Sequence, residues 1–166
     1  MENKKNYFLK ILNFFVFFIL IIFETSGAVD ISIKTAVPFI LIPLLTAYSE
    51  FSTLSKSALA GFLTGASVDC VSADTFVFNT LVLMLLAVFV NLAANNLFNK
   101  NIFSALVMSL ITAALYFVLM WAVFYLFSST VEQSLTYLLG HALPSALYTS
   151  VFIVPFYYLY RYMFSL

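Results

Sequence analysis

Seven acids, seven bases, one histidine and one cysteine make up the titratable inventory of this 166-residue chain, tyrosines aside. Asp69 follows Gly65 by four residues, and the carboxamide of Asn79 comes ten residues later. His141 stands alone between Gly140 and Ala142, three residues before Pro144. A carboxylate, an amide and an imidazole could hold a ligand or pass a proton. They complete no catalytic set here. Cys70 has no second cysteine, and neither it nor His141 finds the partners of a zinc site. There is no Gly-rich phosphate loop, no defensible Ser/His/Asp order and no pair of aspartates within apolar segments. The expectation is a protein without catalytic residues, metal or cofactor. His141 then reads as an interfacial or packed residue. Asp69 reads as a capping, structural or ligand-facing carboxylate, and Asp74 as a loop acid capping the helix that follows.

The elements that position these groups are apolar. Hydrophobic residues make up 64% of the chain, charged residues 8%, and the mean hydropathy is +1.08. A typical soluble domain is roughly 45–50% apolar and about 25% charged. That difference excludes a soluble globular enzyme, a disordered tail and a disulfide scaffold. Zero net charge excludes a basic surface for nucleic acid. An integral membrane protein remains, in contact with the lipid bilayer. Its twenty Phe and ten Tyr suit a lipid-facing surface with interfacial aromatic belts.

A membrane helix needs about 20 mostly apolar residues. Reading between polar breaks predicts an all-α membrane domain over residues 1–166, with six helices near 8–23, 35–50, 54–71, 76–97, 102–127 and 135–163. The first has a basic front and a small-residue tail, as a signal peptide does, but the rest of the chain is hydrophobic enough to need no separate export signal. The second is short. Pro38 suits a first helical turn, Pro43 should kink the interior, and a re-entrant hairpin is the alternative. Charge arbitrates, because cytoplasmic loops are enriched in Lys and Arg. Six crossings put Lys4, Lys5, Lys10, Lys56, Lys100 and Arg161 inside and only Lys34 outside. Without the second crossing, three basic residues fall inside and four outside. The expectation is therefore six crossings with both termini cytoplasmic, which sets Asp69 and Cys70 near the outer boundary. Pro144 and Pro155 should bend the last helix.

Ala58, Gly61 and Gly65 share one face of the third helix. Gly61-x-x-x-Gly65 permits close helix approach, where packing rather than hydrophobicity drives association in lipid. Two readings stand at this point: packing within one bundle, or a docking face for another membrane protein. Asn79 should lie near Asp69 at the outer end, while Asn91, Asn95 and Asn96 fall toward the inner end.

Gly61-Phe62-x-x-Gly65-x-x-x-Asp69, a short polar link and Asn79 opening a long helix resemble the core signature of the bacterial rod-shape-determining MreD family. Leu143-Pro144 early in the final helix, Pro155 half a membrane later and an aromatic, basic end are similar too. The chain departs from the pattern at Val77, where the family usually has Gly. It also has only Lys100 in a turn that often holds several arginines. The resemblance implies a compact six-helix bundle similar to the substrate-binding component of energy-coupling-factor transporters, set in the bacterial inner (cytoplasmic) membrane. It implies a non-catalytic subunit of the cell-elongation machinery, regulating cell shape and lateral peptidoglycan synthesis. Implied partners are MreC-like proteins, RodA, a penicillin-binding transpeptidase and, indirectly, MreB. The alternative is a vitamin or small-solute transporter component with Asp69, Asn79 and His141 lining its pocket. Such components commonly carry a small-x-x-x-small motif on the first helix, and Phe14 to Phe18 are bulky instead.

Overall fold

In a bilayer each backbone N–H and C=O must be paired within the protein, so apolar runs become helices. The computed structural model describes residues 15–24, 26, 36–72, 77–96, 101–124 and 136–165, and these are almost entirely helical. We label the elements α1 (Phe15–Glu24), α2 (Leu41–Phe51), α3 (Leu54–Val71), α4 (Phe78–Asn96), α5 (Ile102–Phe124), α6 (Leu143–Val151) and α7 (Ile153–Ser165). A π-helical turn, Leu138–Ala142, leads into α6. Asp74, Lys34, Lys100 and the three N-terminal lysines lie outside the described residues, and so do the expected cap from Asp74 and most of the charge argument.

Among the described residues three helices are long and apolar enough to cross a membrane: α4, α5 and the continuous stretch Leu138–Phe164. This is the make-up of a membrane protein. It is also coarser than six equal spans. α3 has 18 residues but carries Lys56 near its start and Asp69 near its end, which lowers its hydropathy. α1 is described over ten residues. The outer surface fits lipid contact, with Leu59 61%, Leu85 65% and Phe103 75% exposed.

The second segment departs most from expectation. Its helix starts at Leu41 rather than near residue 35, and residues 37–39 are non-helical. Pro43 does not kink the interior. It sits in the first turn of α2, where a missing N–H costs nothing, and the Phe39 carbonyl accepts from Ile42 N instead, at 3.1 Å. α2 is buried from Leu41 through Ala47 and packs against α3, α4, α5, α6 and α7. A helix buried on nearly all sides belongs at the centre of a larger body, and α2 is central to this one. Its Thr46 Oγ1 meets Thr112 Oγ1 of α5 at 3.1 Å.

The last helix leaves α geometry just ahead of two prolines. The π turn ends at Ala142 and Pro144 enters the first turn of α6. At Phe152 the backbone N–H reaches Thr149 O at 3.1 Å, a tightened turn, and Pro155 follows within the first turn of α7. Each break absorbs the N–H that proline lacks.

The face bearing Gly61 and Gly65 is occupied within the bundle. α3 and α4 pack together along most of their length. A Cβ on Gly61 would stand 2.7 Å from the Leu83 carbonyl oxygen and from Met84 Cα, and one on Gly65 would collide with the Asn79 carbonyl and Thr80 Cα. Backbone meets backbone at both positions, so glycine is required sterically. Of the two readings of this face, the contacts at both glycines are those of packing within the bundle, with α4 as the neighbour. Ala58, one turn earlier, is half-buried on the same helix.

Candidate functional site

The contact at Gly65 brings the end of α3 against the start of α4. One turn later, Asp69 reaches the first turn of α4, where backbone N–H groups have no partner inside their own helix. Its carboxylate accepts hydrogen bonds from Asn79 and Thr80. Asn79 N donates to Oδ1 at 3.1 Å and Asn79 Nδ2 to the same oxygen at 2.9 Å. Thr80 N donates to Oδ2 at 2.7 Å and Thr80 Oγ1 at 2.6 Å. An acid at a helix N-terminus also meets the positive end of the helix dipole. Asp69 is thus an N-cap supplied by a neighbouring helix, the capping reading among those open for it.

A third helix joins this clasp. Tyr116 of α5 donates its hydroxyl to Asn79 Oδ1 at 2.6 Å. Asn79 thereby uses its amide nitrogen on Asp69 and its oxygen on Tyr116, and both Asn79 and Tyr116 are buried. The Tyr116 ring stacks on Phe39, with centroids 5.0 Å apart and planes inclined by 18°. Phe39 belongs to the non-helical lead of α2, so α4, α5 and that lead meet at the tyrosine.

That lead is the second polar feature. Non-helical backbone at membrane depth must be paired by the protein around it. Val37 N donates to Ser145 Oγ at 3.0 Å, and Phe39 N to Thr149 Oγ1 at 3.0 Å. Ser145 and Thr149 are one helical turn apart on α6, so a single face carries both acceptors. Ile40 N donates to Glu24 Oε2 at 3.2 Å. The far end of α2 is closed likewise. Asn91 of α4 donates through Nδ2 to the carbonyls of Ser49 and Ser52, each at 2.8 Å.

Of the residues singled out from sequence, the structure brings Asp69 and Asn79 into direct contact. His141 is not placed with them. It lies in the π turn, half-exposed, stacked on Tyr137 with centroids 4.8 Å apart. Thr80, Tyr116, Ser145 and Thr149 escaped the sequence reading. Two local signals were available: a hydroxyl beside Asn79 at a helix start, and the Ser145-x-x-x-Thr149 pair inside an apolar helix. Among the described residues no group of three His, Cys, Asp or Glu side chains converges as metal ligands would. Chemically the arrangement is a lock, with carboxylate, amide and phenol hydroxyl hydrogen-bonded to one another and to backbone. Comparison with family models, with curated proteins and with solved structures returns no match.

Proposed function

We propose that this chain is a non-catalytic subunit of a bacterial cell-elongation complex, set in the inner membrane, that acts by helix packing on MreC-like and other membrane partners. The observation that carries the reading is the Gly65–Asp69–Asn79 unit. The residues that resemble the MreD signature form one interlocked joint between α3 and α4, tied to α5 through Tyr116. A joint whose polar groups are all engaged supplies rigidity and shape rather than reactive chemistry. The six-crossing topology with both termini cytoplasmic, and the likeness of the bundle to an energy-coupling-factor binding component, belong to this proposal. Length supports a crossing by the second segment. Eleven α2 residues rise ~16 Å, and the four residues 36–39 can add at most ~14 Å. Together they approach the ~30 Å of a hydrocarbon core.

The transporter alternative is weakened by the same joint. Two of its three pocket candidates, Asp69 and Asn79, bind each other, and His141 packs on Tyr137 instead. The test is a photo-crosslinking amino acid at Leu85, on the exposed side of α4. It is introduced in cells that make this chain, and the attached proteins are identified by mass spectrometry. Elongation proteins of the MreC-like or transpeptidase class are the expected product. Capture of a transporter coupling subunit would overturn the reading.

A further inference from the structure

A cavity of about 320 Å³ opens on the surface between α1 and the first half of α3, with α2 contributing its floor. That volume lies within the range of small-molecule sites, roughly 300–1,000 Å³. Its walls are graded. Ser55 and Lys56 stand at one end, in the first turn of α3, while Leu59, Leu63, Phe17 and Tyr48 line the rest. Leu63 lies seven residues beyond Lys56, about 10 Å deeper along the helix. Lys56, Leu59 and Leu63 are all exposed. Phe17 and Tyr48 pack edge to face at 5.4 Å, which fixes the floor. The ammonium of Lys56 has no ion pair among the described residues, and α3 begins without a side-chain cap, so its dipole adds positive potential at the same end.

We propose that this groove holds one anionic phospholipid. The phosphate sits against Lys56 and the Ser55 hydroxyl, and an acyl chain runs along Leu59, Leu63 and Phe17. Charge selects the occupant. A cationic rim over an apolar trough matches a phosphate headed by negative charge and followed by hydrocarbon, and basic pockets between membrane helices recognise such headgroups. A wholly apolar protein helix would gain nothing from Lys56. The groove needs only a bilayer around the chain, so its failure and that of the cell-shape role are separable.

The full chain is purified in mild detergent, and phosphatidylglycerol or phosphatidylcholine of identical acyl chains is added stepwise under native mass spectrometry. One phosphatidylglycerol should be retained in preference to phosphatidylcholine. Lys56→Ala should reduce its retention about fivefold, the weight of one basic residue near an anionic surface. Leu59→Trp, which fills the trough, should reduce retention of both lipids. Circular dichroism checks that each variant is folded, and Lys56→Gln replaces any that is not. Equal retention of the two headgroups by the unmodified chain overturns the proposal, and so does undiminished phosphatidylglycerol binding in the folded Lys56 and Leu59 variants. Crosslinking from Leu59 to a second copy that excludes lipid also overturns it, making the groove an interface between copies.

Discussion

At the residue scale the structure turns on Asp69. Donors from Asn79 and Thr80 converge on one carboxylate, and two of them are backbone N–H groups with no other partner in their helix. Hydrogen bonds to a charged group contribute about 1.5–3 kcal/mol each, and they are not additive. Asp69→Ala should therefore destabilise the protein by about 3 kcal/mol, with Asp69→Asn costing less because its amide oxygen still accepts. SDS-driven unfolding in mixed micelles, followed by helical circular dichroism, measures both. The cost of Asp69→Ala should shrink when Asn79 is already alanine, since the two share a bond. An Asp69→Ala variant with unchanged stability would mean that water replaces the carboxylate. This joint was legible in the sequence, because Gly65, Asp69 and Asn79 stand at spacings that report one helix face and the next helix start. Tyr116 was not, since 37 residues separate it from Asn79 and an apolar helix gives no local sign of where a tyrosine hydroxyl points.

The element scale is governed by α2. Its neighbours α3, α4 and α5 start and stop close to where polar breaks in the sequence put them. α2 does not, because residues 36–40 are as apolar as those that follow. Pro38 and Pro43 disfavour a continuous helix here, and what satisfies the freed amides is distant: Ser145 and Thr149, 108 and 110 positions away. No periodicity within residues 35–50 encodes that pairing. Prolines were read only in part for the same reason. Their positions were plain, but whether Pro43 kinks or opens a helix depends on where the first turn falls. A double variant, Ser145→Ala with Thr149→Val, removes both acceptors while keeping the packing volume close to native. The amides of Val37 and Phe39 should then exchange hydrogen for deuterium faster, while amides in the middle of α4 are unaffected. Interhelical hydrogen bonds of this kind average about 0.6 kcal/mol in membranes, so the expected change is a local rate increase without global unfolding. Equal exchange rates would show that other groups satisfy those amides.

For the molecule as a whole, the proposed role depends on orientation. Cys70 is exposed and adjoins Asp69 at the end of α3. With both termini cytoplasmic it faces outward. A membrane-impermeant maleimide should label it in cells whose outer barrier is opened and whose inner membrane is intact. Labelling that begins only after inner-membrane lysis would invert the topology. Composition gave the membrane class directly, since 8% charged residues cannot clothe a soluble surface. The number of crossings was harder to read, because hydropathy measures the sum over a segment and α3 carries its charges at the ends.

The hydroxyls of Ser145 and Thr149 have a consequence for how the chain is made. Translation delivers residues 37–39 to the translocon long before residue 145 leaves the ribosome. Until then two amides at the head of α2 lack the acceptors that the finished protein gives them. The head of α2 is therefore completed late, once Ser145 and Thr149 have been made. A nascent protein stopped short of residue 149 would carry bare amides into lipid, a defect that membrane proteases could recognise.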